Sequence, residues 1–124
     1  MSALEAVKYD PAAVLTEAVV NAAHDLELNQ AELADILGIS ASSASRLCNG
    51  GYELSISKPG WDAATTFLLV YRSLGAILGN NLENMRAWLK SYNSDLADTP
   101  ANLISRQSGL HQVRGYLDAY RGRC

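Results

Sequence analysis

Three serines and one arginine crowd a single short stretch, Ser42, Ser43, Ser45 and Arg46 in "SASSASRLCNG". A guanidinium fork can take both acceptors of a guanine edge or bridge phosphate oxygens, and a serine hydroxyl donates or accepts indiscriminately. On the outward part of a helix these groups are chemistry for touching nucleic acid. Arg46 is the best base or phosphate contact among them; the competing reading is an arginine that only solvates an exposed face. A second cluster closes the chain in "HQVRGYLDAYRGRC". Tyr116 and Tyr120 are four apart, with Arg114, Arg121 and Arg123 nearby, an aromatic and cationic mixture of the kind enriched at protein interfaces. A frayed basic helix end complementing its own dipole would look similar. His111, close to Gly109 and Arg114, is placed to face a partner.

Chemistry of the bond-making kind is not expected. Neither His24 nor His111 has a nearby Ser, Cys or carboxylate arranged as nucleophile and base, and there is no glycine-rich phosphate loop. His24 is expected to be a satisfied structural histidine. Cys48 and Cys124 suggest neither a disulfide framework nor a metal cage, and Cys48 is expected to be a small buried side chain. No cofactor, metal or enzymatic activity is expected. Trp61 and Trp88 sit on apolar stripes and read as core, since no interleaved basic groove surrounds them.

The chain of 124 residues is 48% hydrophobic and 19% charged, the composition of a foldable globular protein of one compact unit or two very small ones. Residues 1–60 carry three cationic side chains against eight carboxylates, whereas residues 61–124 carry seven against five. Attraction to phosphates scales with the number of cationic contacts, so an acidic first half binds nucleic acid weakly per protomer and needs assembly to bind well. The opening "MSALEAVKYDPAAV" lacks a basic region followed by an apolar run, and "FLLVY" and "LGAIL" are separated by Arg72 and Ser73. Neither pattern is a secretory signal or a membrane span, so a soluble, cytoplasmic protein is expected.

Helices must position these groups. Pro11 suits a first helical turn, and Val14, Leu15, Ala18, Val19, Ala22, Ala23 and Leu26 then recur on one side. Asn29 with Glu32 has the form of a capping box for a second helix, whose inward residues are Leu33, Ala34, Ile36 and Leu37 and which Gly38 stops. Ser40 can cap a third helix from Ala41 to about Cys48, with Ala44, Leu47 and Cys48 inward. After "ELSISKP", a candidate short extended segment, Trp61, Ala64, Phe67, Leu68, Tyr71, Leu74 and Leu78 mark a long fourth helix. Leu69, Val70 and Ile77 widen its stripe, which makes it the expected spine of the fold and a candidate dimer seam. Gly79-Asn80-Asn81 is the expected boundary between units 1–79 and 80–124. Leu82, Met85, Trp88 and Leu89 mark a fifth helix and "NSDLADTP" a connection. Ala101–Ser108 is expected as a sixth helix, and Leu110, Val113, Tyr116, Leu117 and Tyr120 mark a seventh. The expected class is all-α.

A bent helical pair needs a small residue at the crossing, a glycine corner and apolar residues behind the outer helix; Ala34, Gly38, Ile39, Ala44 and Leu47 supply them. The string "LNQAELADILGISASSASRLCNG" resembles the helix-turn-helix of the lambda-repressor class, the Xre family in bacteria. The match includes Leu28, Gln30, Ala34, Asp35, Gly38, Ser42, Leu47, Asn49 and Gly50. The resemblance implies that Gln30 touches a phosphate and braces the reading helix, that Ser42 and its neighbours face base edges, and that Asn49 belongs to the same DNA-binding set. Ala41 stands where phage repressors carry a base-reading glutamine, which implies thinner sequence readout.

Further on, Asn93, Leu96, Pro100, Leu103, Ile104, Gly109, Val113 and Leu117 resemble the pattern of the toxin-binding domain of Xre/MbcA/ParS antitoxins. The joint resemblance implies a lambda-repressor-like helical bundle followed by a small helical toxin-binding domain. By the same implication the carboxyl-terminal end binds and occludes an NAD-consuming RES-domain toxin through His111, Arg114, Tyr116, Tyr120, Arg121, Arg123 and Cys124. The amino-terminal half would repress the shared operon on operator DNA, as a homodimer within a larger toxin–antitoxin complex. Truncation after Tyr120 is expected to spare folding and weaken neutralisation. The alternatives are a plain dimeric repressor with a dispensable tail, and a helical interaction module with a vestigial helix-turn-helix.

Overall fold

The structure, a computed structural model, describes residues 10–122, which form seven α-helices and no strands. Helix α1 spans Pro11–Asp25, with Asp10 accepting a hydrogen bond from the Ala12 amide at 3.1 Å and proline in the first turn. Helix α2 spans Gln30–Leu37 and opens on a complete capping box. Asn29 Oδ1 accepts from the Glu32 amide at 2.8 Å, and Glu32 Oε1 accepts from the Asn29 amide at 3.0 Å. Two amides that a helix start leaves unpaired are thereby satisfied. Asn29→Ala is expected to lower unfolding stability by about 1 kcal/mol, measured by urea denaturation with an unchanged slope.

Gly38 ends α2 at φ 68°, a left-handed conformation that costs glycine little and any other residue more. The chain turns there and Ser40 caps α3, Ala41–Cys48, by accepting from the Ser43 amide at 3.1 Å. "ELSISKP" forms no strand. Leu54 alone drops into the core, completely buried, while its amide donates to Thr16 Oγ1 at 2.9 Å and Ser55–Lys58 closes a turn. One buried side chain and one hydrogen bond to α1 hold this loop, with no ladder partner within reach.

Helix α4, Trp61–Ile77, is the spine. It packs against α1, α2, α5 (Leu82–Lys90) and, most extensively, α7 (Gln107–Gly122). Phe67, Val70 and Leu74 are buried together with Val19, Leu33, Met85, Leu89, Leu110, Val113 and Leu117, so one hydrophobic core runs from α1 to α7. Burying each such side chain contributes about 1.5–3 kcal/mol, and the widened stripe of α4 is what lets one helix serve several neighbours. Val14, read as inward, is half exposed. Leu69 also keeps a partly exposed edge.

Polar contacts join the same pieces. Arg86 on α5 donates through Nε to the Asp25 carbonyl at 2.6 Å and pairs with Glu27 at 3.3 Å. A cation is well placed there, at the negative end of α1. Gln107 Nε2 donates to the Ile36 carbonyl at 3.2 Å, fixing the start of α7 against the corner of the helix pair.

The sixth helix is shorter than its pattern suggested. Helix α6 spans only Pro100–Ile104, and α7 already begins at Gln107. The break is physical: at Gly109 the backbone of α7 crosses the Leu103 carbonyl so closely that a Cβ would overlap it. Leu110, Val113 and Leu117 are buried against the chain's own α4, so only the remaining faces of α7 meet solvent.

Candidate interfaces at the two ends of α4

The candidate reading face is built on α3. Ala44 and Leu47 are buried beneath it and Cys48 is half-buried, burial pushing its thiol above the ordinary range. At about 100° per residue, Ser42, Arg46 and Asn49 share the opposite side, and all three are exposed. Ser43 and Ser45 flank them half-buried. The Ser43 hydroxyl is already engaged: it accepts from Ser40 Oγ at 2.9 Å and from Arg46 Nη2 at 3.3 Å. Its role is to hold Arg46. Gln30 is exposed at the first position of α2, and among the described residues it makes no hydrogen bond to α3.

Arg46 has a second support that motif reading missed. Its guanidinium carbon lies 5.7 Å from the centroid of the Tyr52 ring, and Lys58 Nζ lies 4.8 Å from the same centroid. Cations are drawn to an aromatic face at such distances. The signal was hidden because Tyr52 and Lys58 lie in the loop beyond the helical pair.

The other surface is the far end of α7. Tyr116 is half-buried, its ring stacked with Trp88 at 6.5 Å, and its hydroxyl donates to Asp95 Oδ2 at 2.7 Å. Tyr120 is 45% exposed, beside Ile77 at the end of α4. These two tyrosines border a small apolar pocket of about 140 Å³ with Leu74, Leu78 and Trp88. Arg121 Nη1 donates to Ser73 Oγ at 3.1 Å, and Arg114 pairs with Asp118 at 3.5 Å. Helical spacing puts Tyr116 and Tyr120 on one flank of the buried stripe and His111 and Arg114 on the other, so these four do not share one face. Arg123 and Cys124 lie outside the described residues. His111 is exposed, and so is His24, which is no buried structural histidine but sits in the last turn of α1 facing solvent.

The hydrogen bond from Tyr116 to Asp95 raises the phenol's pKa above its ordinary value, and the bond from Tyr71 to Asp25 at 2.7 Å does the same for Tyr71. Both groups are protonated when they stabilise the fold. Their contribution is complete below the unfolded value of about 10 and is lost as pH rises through the raised folded values. The unfolding midpoint is therefore expected to fall above about pH 10, and less steeply in Tyr71→Phe; identical alkaline profiles would contradict this.

The two surfaces sit at opposite ends of α4. Gly60, just before α4, lies so near Ile39 at the α3 corner that a Cβ there would come within 3.0 Å of it, whereas Tyr120 and Arg121 lie beside Ala76 and Ile77. An α4 of this length separates them by about 24 Å. Among the described residues no helix is long and apolar enough to cross a membrane, and no His, Cys, Asp and Glu grouping fits a metal ion.

Residues 5–57 match the antitoxin Xre-like helix-turn-helix domain, and residues 73–123 match the antitoxin Xre/MbcA/ParS C-terminal toxin-binding domain. The chain belongs to the Xre/MbcA/ParS antitoxins. No curated protein matches this antitoxin in sequence. Its fold is similar to that of a chain in the crystal structure of the M. tuberculosis MbcT–MbcA toxin–antitoxin complex, with TM-score 0.63 and 24% identity over 86% of this chain and 92% of that one. The antitoxin thus has a helix-turn-helix unit, whose outer helix is α3, and a toxin-binding unit, whose last helix is α7.

Proposed function

We propose that this antitoxin neutralises an NAD-consuming RES-domain toxin by laying its carboxyl-terminal end over the toxin's active site, and that its helix-turn-helix represses the operon encoding both. The observation that carries the reading is the placement of the two surfaces at opposite ends of one spine: Ser42, Arg46 and Asn49 at one end, Tyr120 and Arg121 at the other. A toxin held at the far end leaves α3 uncovered. The division of labour falls near Gly79, with residues 1–79 serving DNA and residues 80–124 the toxin, although the two share one core.

In the proposal Tyr116, Tyr120, Arg121, Arg123 and Cys124 meet the toxin as one group. His111 and Arg114 form a separate flank. Gln30, Ser43 and Ser45 are peripheral DNA contacts. The acidic first half keeps a single protomer's hold on operator DNA weak. Binding becomes useful in a homodimer within a larger complex in the cytoplasm, where several copies of α3 act at high effective concentration.

Co-purification with the product of the neighbouring reading frame tests this, with NAD consumption as the readout. A RES-type partner retained at fixed stoichiometry, silent when bound and active when freed, is the expected result. DNA binding with no retained partner would instead favour a plain repressor with a dispensable tail. Retention with no effect of Arg46→Ala on DNA binding would favour an interaction module with a vestigial helix-turn-helix.

A further inference from the structure

Two of the three cationic side chains in the first sixty residues meet at one ring. In so acidic a half, Arg46 and Lys58 would gain Coulomb energy by seeking carboxylates, yet both are held over Tyr52, at 5.7 and 4.8 Å from its centroid. The backbone enforces the meeting. The Thr16 hydroxyl donates to the Ala12 carbonyl at 2.7 Å and accepts from the Leu54 amide at 2.9 Å, tying the loop after α3 to α1. Buried Leu54 locks that attachment. On one side of it Tyr52 returns to α3, where the Gly51 amide donates to the Arg46 carbonyl at 2.7 Å. On the other side the turn from Ser55 brings Lys58 back, its ammonium donating to the Glu53 carbonyl at 3.4 Å.

From this geometry we propose that Arg46, Lys58 and Tyr52 form a clamp for a backbone phosphate of duplex DNA, so that Arg46 positions the antitoxin on DNA and does not read a base. The inference rests on the DNA-binding reading above and assigns the site within it. A phosphate would draw on both cations, and the Tyr52 ring and Ser43 hydroxyl hold the guanidinium in advance, so little side-chain entropy remains to be lost on binding. Glu17 and Glu53 line a groove that Tyr52 also borders, and their charge near the ring opposes a phosphate there. One cation alone is then too few, and the pair is required. Base edges are left to Ser42 and Asn49, whose short polar groups discriminate weakly.

The test uses the full-length antitoxin in complex with its toxin. It measures binding to a duplex from the region upstream of its reading frame, and to an unrelated duplex of equal length, across a salt series. Lys58→Ala and Arg46→Ala are each expected to weaken both duplexes by the same factor and to lower the slope of log K against log salt by about one per protomer engaged. Lys58→Arg is expected to restore both. Both side chains are exposed, so folding is preserved in each variant. An unchanged slope in Lys58→Ala, or a preference between duplexes that disappears in Arg46→Ala, would overturn the clamp while leaving DNA binding standing. Failure of the wild-type complex to bind either duplex would overturn the DNA-binding reading and the clamp with it.

Discussion

Gly109→Ala is expected to destabilise the antitoxin by about 3 kcal/mol, roughly 10 °C in thermal midpoint. Two effects of opposite sign compete at this residue. Alanine inside a helix is favoured over glycine by about 1 kcal/mol, because glycine loses more backbone freedom on folding. Against that, the added Cβ would overlap the Leu103 carbonyl, and the atoms in the way are backbone, not the end of a flexible side chain. Relief requires α6 and α7 to part, which uncovers Leu103, Ile104, Leu110 and Val113, all buried here. Loss of that packing exceeds the propensity gain. Gly115, in the same helix, has nothing within 4 Å of its would-be Cβ. Gly115→Ala is therefore expected to gain about 0.5–1 kcal/mol, and destabilisation by both substitutions alike would contradict the argument.

Removal of Gly122, Arg123 and Cys124 is expected to weaken toxin neutralisation at least tenfold with no change in thermal midpoint. The magnitude follows from a single charged or aromatic anchor at the centre of an interface, worth about 2 kcal/mol. Placement of the cut matters. Ending the chain after Tyr120 would also remove the Arg121 donor from Ser73, whose hydroxyl belongs to a buried residue, and a buried hydroxyl losing a partner costs about 1 kcal/mol or more. A cut after Arg121 keeps that bond, so a loss of inhibition then reports contact with the toxin. Undiminished inhibition by the shortened chain would contradict the assignment of the tail.

The helical pair was legible in the sequence because its signals are local. Asn29 and Glu32 cap each other three residues apart, Gly38 needs only its own φ, and the inward residues of α2 and α3 follow from a 3.6-residue period. The close crossing at Gly109 was half visible, as a glycine in the matched pattern, while the Leu103 carbonyl it passes was not. That passage ends α6 at Ile104, a tertiary constraint overriding a helical pattern that ran on to Ser108. Contacts distant along the chain left no trace in spacing: Arg121 with Ser73, Gln107 with Ile36, and Lys58 meeting Arg46 over Tyr52. The spread of the described tail residues around α7 has a simpler reason. Residues close in sequence point around a helix, and His111 falls across the buried stripe from Tyr120.

If one rigid chain holds DNA and toxin at opposite ends of α4, both bind at once. Purified antitoxin–toxin complex is titrated onto duplex DNA from upstream of its reading frame, with NAD consumption followed in the same samples. The expected result is a ternary species in which the toxin stays silent at saturating DNA. Release of active toxin as DNA binds, or displacement of DNA as toxin is added, would contradict it.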